Sequence, residues 1–217
     1  EFNFDKQLFE VCKYLQTKGK HYAQSDFPTA FSQINDSFVF LSHKNGSFRD
    51  INRKPKNRKS KDKYRHPGGW TWSSRIVDLD HDGWQDIFNA EGTVRVNDYG
   101  FNVFMKNMKG EGFEQRQFSW GLTDDFNLFG YVIVDFDRDG DVDIIGNSST
   151  GPVQVYENFS TGSNHSVKIS LNDLNGNRYG VGGKIFVKTK KGTQVREIKS
   201  GGGYLSADPL RAWFGLG

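Results

Sequence analysis

The sequence predicts a mostly β protein: partial propeller blades and a small C-terminal antiparallel β-domain behind one N-terminal helix. Three observations predict this. The chain is rich in Phe (19) and Gly (25), which suits short strands joined by Gly turns better than a helical bundle. Two segments, "VDLDHDGWQDI" at residues 77–87 and "VDFDRDGDVDI" at 134–144, each place at least four aspartates within nine residues, walled by β-branched side chains. Beyond residue 160, apolar and polar residues alternate along three segments separated by Gly-rich turns, the period of half-buried strands. At 217 residues the chain can bury a sizeable core.

Residues 4–18 read as the helix. Phe4, Leu8, Val11, Cys12 and Leu15 form one apolar stripe at helical spacing, and Gly19 suits the position just past the end. Cys12 is the only cysteine, so no disulfide forms within the chain, and its place on the stripe makes it a buried thiol. From Ser37 the period changes. "SFVFLSHKNGSFRDI" reads as a hairpin turning at Asn45-Gly46. "GGWTWSSRIVDLD" feeds the first aspartate segment, and "NVFMKNMKGEGFEQRQF" repeats the hairpin with Phe104 and Phe113 either side of "KGEG". "LFGYVIVDFDRDGDVDII" feeds the second aspartate segment and "GPVQVYENF" adds a strand.

These pieces repeat. Asp78 and Asp135 lie 57 residues apart, Phe48 and Phe113 lie 65 apart, and each unit offers about four strands, which is the size of a propeller blade. Two nearly complete blades and the tail of an earlier one are visible. Propellers need about four blades to close, so the chain reads as a piece of a larger protein or one whose sheet closes on other subunits. Three regions follow: 1–66 with the helix, partial blade and a basic loop; 67–159 with the two blades; and 160–217 with the C-terminal β-domain.

The net charge of +3 conceals an asymmetry. Residues 53–65, "RKPKNRKSKDKYR", hold eight Lys or Arg and one Asp, leaving the rest mildly acidic. The run has no aromatic besides Tyr64 and no helical period, which argues for a solvated loop and against nucleic acid. No apolar run approaches the roughly 20 residues of a membrane span. Five N-x-S/T sequons, at Asn35, Asn45, Asn147, Asn158 and Asn164, hint at secretion.

The aspartate spacing names its own chemistry. With Asp78 as position 1, Asp80 is 3, Asp82 is 5, Gly83 is 6, the Trp84 carbonyl is 7 and Asp86 is 9. The second segment supplies Asp135, Asp137, Asp139, Gly140, the carbonyl of Asp141, and Asp143 in the same places. Alternate oxygens converging around a Gly turn form the first three-quarters of a calcium loop. The Glu of position 12 is replaced by Asn89 and Gly146, so these are β-hairpin loops rather than EF-hands. Hard oxygen donors in this number suit two Ca²⁺ ions. Mg²⁺ needs fewer carboxylates, and zinc would want Cys or His, of which only His81 at position 4 is near and is expected to point outward. The plainer reading, two Asp-Gly turns with Asx hydrogen bonds, is weakened by the recurrence. "DLNGN" at 173–177 reads as a degenerate turn.

The two segments resemble the calcium loops of FG-GAP/VCBS repeats, and "YGVGGKIFVKTKKGTQVREIKSGGGYLSADPLRAWFGLG" at 179–217 resembles the ASPIC/UnbV domain that follows such repeats in cartilage-acidic-protein-like and UnbV-like proteins. The resemblance implies a secreted or cell-surface, Ca²⁺-stabilised propeller without catalytic residues, and calcium ligation at the aspartates of both loops. Family members have more blades and continue beyond the final "FGLG". The expected function is an extracellular binding or assembly module whose partners are proteins, glycans or subunits that complete the propeller. The alternative is a polysaccharide-acting enzyme, or an accessory carbohydrate-binding domain, on a propeller scaffold; His66, Tyr131 and Arg138 are its catalytic candidates.

Overall fold

The computed structural model describes residues 40–42, 45–50, 71–92, 102–122, 128–148, 151–159 and 162–217. The predicted helix over 4–18 with Cys12, the basic run at 53–65, and His66 lie outside them. Among the described residues all regular elements are strands. The first two, β1 (Phe40–Ser42) and β2 (Phe48–Asp50), form the hairpin expected around Asn45-Gly46, and Gly46 turns with φ of 79°.

An antiparallel sheet runs in the order β3 (Thr71–Val77), β4 (Asp86–Glu91), β5 (Val103–Asn107), β6 (Phe113–Gln115). On β3 the side chains alternate, with Ser73, Arg75 and Val77 buried and Ser74 and Ile76 exposed, so period 2 in the sequence becomes two faces. β4 is buried throughout and lies between β3 and β5. A second sheet orders β7 (Leu128–Val134), β8 (Asp143–Ser148) and β9 (Gln154–Tyr156).

The repeat seen in the sequence is also a repeat of geometry. Val77 pairs with Asp86 and Val134 with Asp143, so each aspartate segment joins the first two strands of its sheet. The first strand of each sheet slips register at its start, between Thr71 and Ser73 and between Leu128 and Gly130, positions 57 residues apart. The two sheets share one core: Phe88 and Phe104 from the first and Leu128 and Ile144 from the second are all essentially buried. Each such side chain contributes roughly 2–3 kcal/mol of burial free energy. Tyr131 joins this core. Its ring meets Phe88 edge-on at 5.0 Å and its hydroxyl donates to the Phe88 carbonyl at 2.6 Å. The sheets form no closed ring among the described residues.

The remaining strands confirm the alternation read beyond residue 160. β10 (Ser166–Ile169) pairs with β13 (Ala212–Gly215), and β11 (Lys184–Thr189) with β12 (Gly192–Glu197), all antiparallel. Ile198, Ala212 and Phe214 centre their own small core. The "DLNGN" segment is an Asx turn in which Asp173 accepts the Asn175 N–H at 2.8 Å. Buried Arg75 of β3 ties this region to the first sheet. It donates to Asp208 at 2.8 Å, to the Gly202 carbonyl at 2.6 Å and to the Ser206 hydroxyl at 3.1 Å. Its guanidinium also stands 5.2 Å from the centre of the Tyr131 ring.

Candidate metal centre

Both aspartate loops are built by the same backbone device. Position 4 is left-handed in each, His81 at φ 56° and Arg138 at 70°, and position 6 is Gly83 at 91° or Gly140 at 103°. Only glycine takes the latter conformation freely, while a non-Gly residue in the left-handed region costs about 1 kcal/mol. Short side-chain bonds complete the turn. Asp82 accepts the Trp84 N–H at 2.8 Å, and Asp139 accepts the Asp141 N–H at 2.9 Å. In this way the chain bends around a centre and turns alternate carboxylates toward it.

The oxygens that meet differ slightly between the loops. In the first, one carboxylate oxygen from each of Asp78, Asp80 and Asp82 lies within 4.8 Å of the others; in the second the set is Asp135, Asp137 and Asp143. A calcium ion sits about 2.3–2.6 Å from each oxygen, so its ligands cannot be much more than about 5 Å apart. Both triads meet that limit. Asp78 is 6% exposed and its Oδ1 has no hydrogen-bond partner; the Asp135 side chain is 2% exposed and its Oδ1 likewise has none. A buried acceptor without a donor is costly, and a hard cation is a fitting partner for it. The two triads therefore could hold metal ions, and their donor chemistry fits Ca²⁺ better than softer metals.

Of the remaining predicted residues, Asp86 and Asp143 at position 9 also brace their loops. Asp86 accepts the N–H groups of Leu79 at 3.3 Å and Asn107 at 2.7 Å; Asp143 accepts those of Phe136 at 3.1 Å and Asn158 at 2.8 Å. Asp139 is held within its own loop. Trp84 and Asp141, predicted through their carbonyls, present their amides to the position 5 carboxylates, and the Trp84 ring lies against Gly110.

Sequence reasoning missed the residues that support these loops from afar. The side-chain amide of Asn107 donates to the Gln85 carbonyl at 2.9 Å, and that of Asn158 to the Val142 carbonyl at 3.0 Å. The two asparagines are therefore structural counterparts. The signal was an Asn closing the third strand of each blade, obscured because the hairpins differ in length. Asn164 donates to the Asp80 carbonyl at 2.8 Å. With Asn158 also donating to the Leu79 carbonyl at 2.7 Å, two of the five sequons have their amides engaged in loop contacts.

Electrostatics separates the two loops. Burial, reinforced by the charge of Asp82, pushes the Asp78 carboxyl up to about 7. Burial likewise raises Asp86 to about 7, against the pull of the Asn107 amide and Lys106. The Lys106 ammonium lies 2.8 Å from both Asp80 and Asp82 and 3.2 Å from Asp86. Burial disfavours its charge, but the hydrogen bonds it donates to Asp80 and Asp82 more than reverse this and hold its pKa above the usual lysine value. In the second loop burial raises Asp135, yet the hydrogen bond and charge of Lys168 at 2.9 Å outweigh it, leaving the group below its usual value. His81 departs from the expectation that it points outward. It is 2% exposed, with Nδ1 3.7 Å from Asp141 of the other loop, because the C-terminal residues cover it and Gly217 donates to its carbonyl at 2.9 Å. Burial lowers its pKa despite the nearby Asp141.

Of the two described enzyme candidates, Tyr131 is enclosed in the core with its hydroxyl bonded, and Arg138 is exposed on the second loop.

Fold and site together describe a chain whose described residues are all-β, with two acidic hairpin loops, each able to hold a cation, and a basic C-terminal β-region packed against the first. That region carries an ASPIC/UnbV domain: the family model described as ASPIC and UnbV matches residues 173–217. No curated protein matches the chain.

Proposed function

We propose that the chain is part of a calcium-stabilised extracellular binding or assembly module of the FG-GAP/VCBS propeller type, without catalysis. The observation that carries this reading is the recurrence, 57 residues apart, of two carboxylate triads within 4.8 Å, each with a buried oxygen lacking a donor. Each loop joins the first two strands of its sheet. An ion there neutralises clustered charge and holds those strands in register, so binding energy becomes folding energy. Protein or glycan partners, or subunits that complete the propeller, would meet the surfaces that the ions stiffen.

The test is thermal unfolding in excess calcium and in chelator. At calcium 100-fold above its dissociation constant, each site adds about 2.7 kcal/mol. For a protein of this size that raises Tm by roughly 5–10 °C per site. Coincident midpoints in the two buffers would defeat the calcium reading.

A further inference from the structure

The two loops are not equivalent, and the difference is one lysine on β5. Lys106 places its ammonium 2.8 Å from Asp80 Oδ1, 2.8 Å from Asp82 Oδ2 and 3.2 Å from Asp86 Oδ1, with its side chain 12% exposed. Two of these three carboxylates belong to the first triad, and the third triad member, Asp78, keeps a buried oxygen without a partner beside them. Among the described residues the second loop has no such lysine on its own sheet. Asn107 and Asn158 do the same work in their blades, each giving its amide N–H to the position 9 aspartate and its side-chain amide to the position 8 carbonyl. The residue before Asn158 is Glu157, which is exposed. The cation that touches the second loop comes from another strand: Lys168 of β10, 38% exposed, makes one contact of 2.9 Å with Asp135.

We propose that Lys106 is a tethered cation that competes with the metal ion for the first loop. The first site is thereby a weak calcium site that keeps its shape when empty, and the second is a strong site that depends on its ion. This rests on the calcium reading above. A divalent ion bound to the Asp80 and Asp82 oxygens would stand within a few ångströms of the Lys106 Nζ, where like charges repel strongly in a partly buried setting. Ion entry therefore requires Lys106 to leave, with the loss of three carboxylate contacts. Displacing Lys168 costs one carboxylate contact, made by a side chain that is 38% exposed, instead of three. The difference of two or three partly buried ion pairs corresponds to about ten- to a hundredfold in affinity.

Calorimetric titration of the full chain with calcium tests the proposal, using wild type, Lys106→Met, Lys106→Gln, and Asp137→Ala, which removes a ligand oxygen from the exposed position 3 of the second loop where Asn would still ligate. Wild type should show two unequal sites, and Asp137→Ala should keep only the weaker. Combining Lys106→Met with Asp137→Ala should tighten that remaining site about tenfold or more. In chelator, Lys106→Met should melt below wild type, and in saturating calcium the gap should close. Lys106→Gln keeps an amide donor for Asp80 and Asp82 and serves if the Met variant does not fold without calcium; the same tightening is expected. Unchanged or weaker first-loop affinity in both Lys106 variants, with calcium still bound at the second loop, overturns the competition alone. No calcium uptake by any of the proteins overturns the calcium reading together with it.

Discussion

Removing the Asp208 carboxylate tests whether the C-terminal region is clamped to the first sheet. Asp208 Oδ2 accepts from Arg75 Nε at 2.8 Å while its Oδ1 accepts the Ile133 N–H at 2.9 Å, so one side chain joins β3, β7 and the segment before β13. Arg75 is 7% exposed and Asp208 34%. Breaking a fully buried ion pair costs about 3–5 kcal/mol. Here the partner is one-third exposed, and Arg75 retains the Gly202 carbonyl and the Ser73 and Ser206 hydroxyls, so the charge contribution falls to about 2 kcal/mol. Stranding the Ile133 amide adds about 1 kcal/mol. Asp208→Ala should therefore cost about 3 kcal/mol and lower Tm by roughly 6–12 °C. Asp208→Asn keeps an acceptor for Ile133 and should cost about 2 kcal/mol. Urea denaturation and thermal melting at one calcium concentration measure both. A fall in Tm below about 1 °C for Asp208→Ala would refute the reasoning, since it would mean that Arg75 does not depend on this contact.

Two further outcomes follow from particular side chains. Glu91 is 1% exposed, and burial holds its carboxyl at about 7 against 4.5 for the free group, with only the Thr71 hydroxyl opposing the shift. A raised folded pKa means that stability is full below the unfolded value and is lost as pH rises through the folded one. Glu91→Gln should thus be more stable than wild type at pH 8 by up to about 3 kcal/mol, with the gap narrowing toward pH 5; parallel stability–pH curves would contradict it. Gly215 of β13 leaves no room for a methyl group, since a Cβ there would stand 2.1 Å from Asp78 Oδ2 and 2.6 Å from the His81 backbone. Gly215→Ala should cost about 1–3 kcal/mol and weaken calcium binding at the first loop while sparing the second, as read by melting and calorimetry.

Much of this protein was legible as local pattern. Alternation along 71–77 and 184–189 marks strands because side chains in an extended chain must face opposite sides. The Asp-x-Asp-x-Asp-Gly spacing marks a candidate cation loop because it turns alternate carboxylates inward around a left-handed glycine. Both signals lie within a dozen residues, and so a reading of the chain finds them. What the tertiary structure alone decided is which distant groups answer them. Lys106 reaches Asp80 across 26 residues, Asn158 reaches Leu79 across 79, and Arg75 reaches Asp208 across 133. No local period encodes such pairings, because they exist only after the sheets have stacked and carried those side chains into one low-dielectric space. The acidic loops are a property of the sequence, whereas the balance of charge within each of them is a property of the fold.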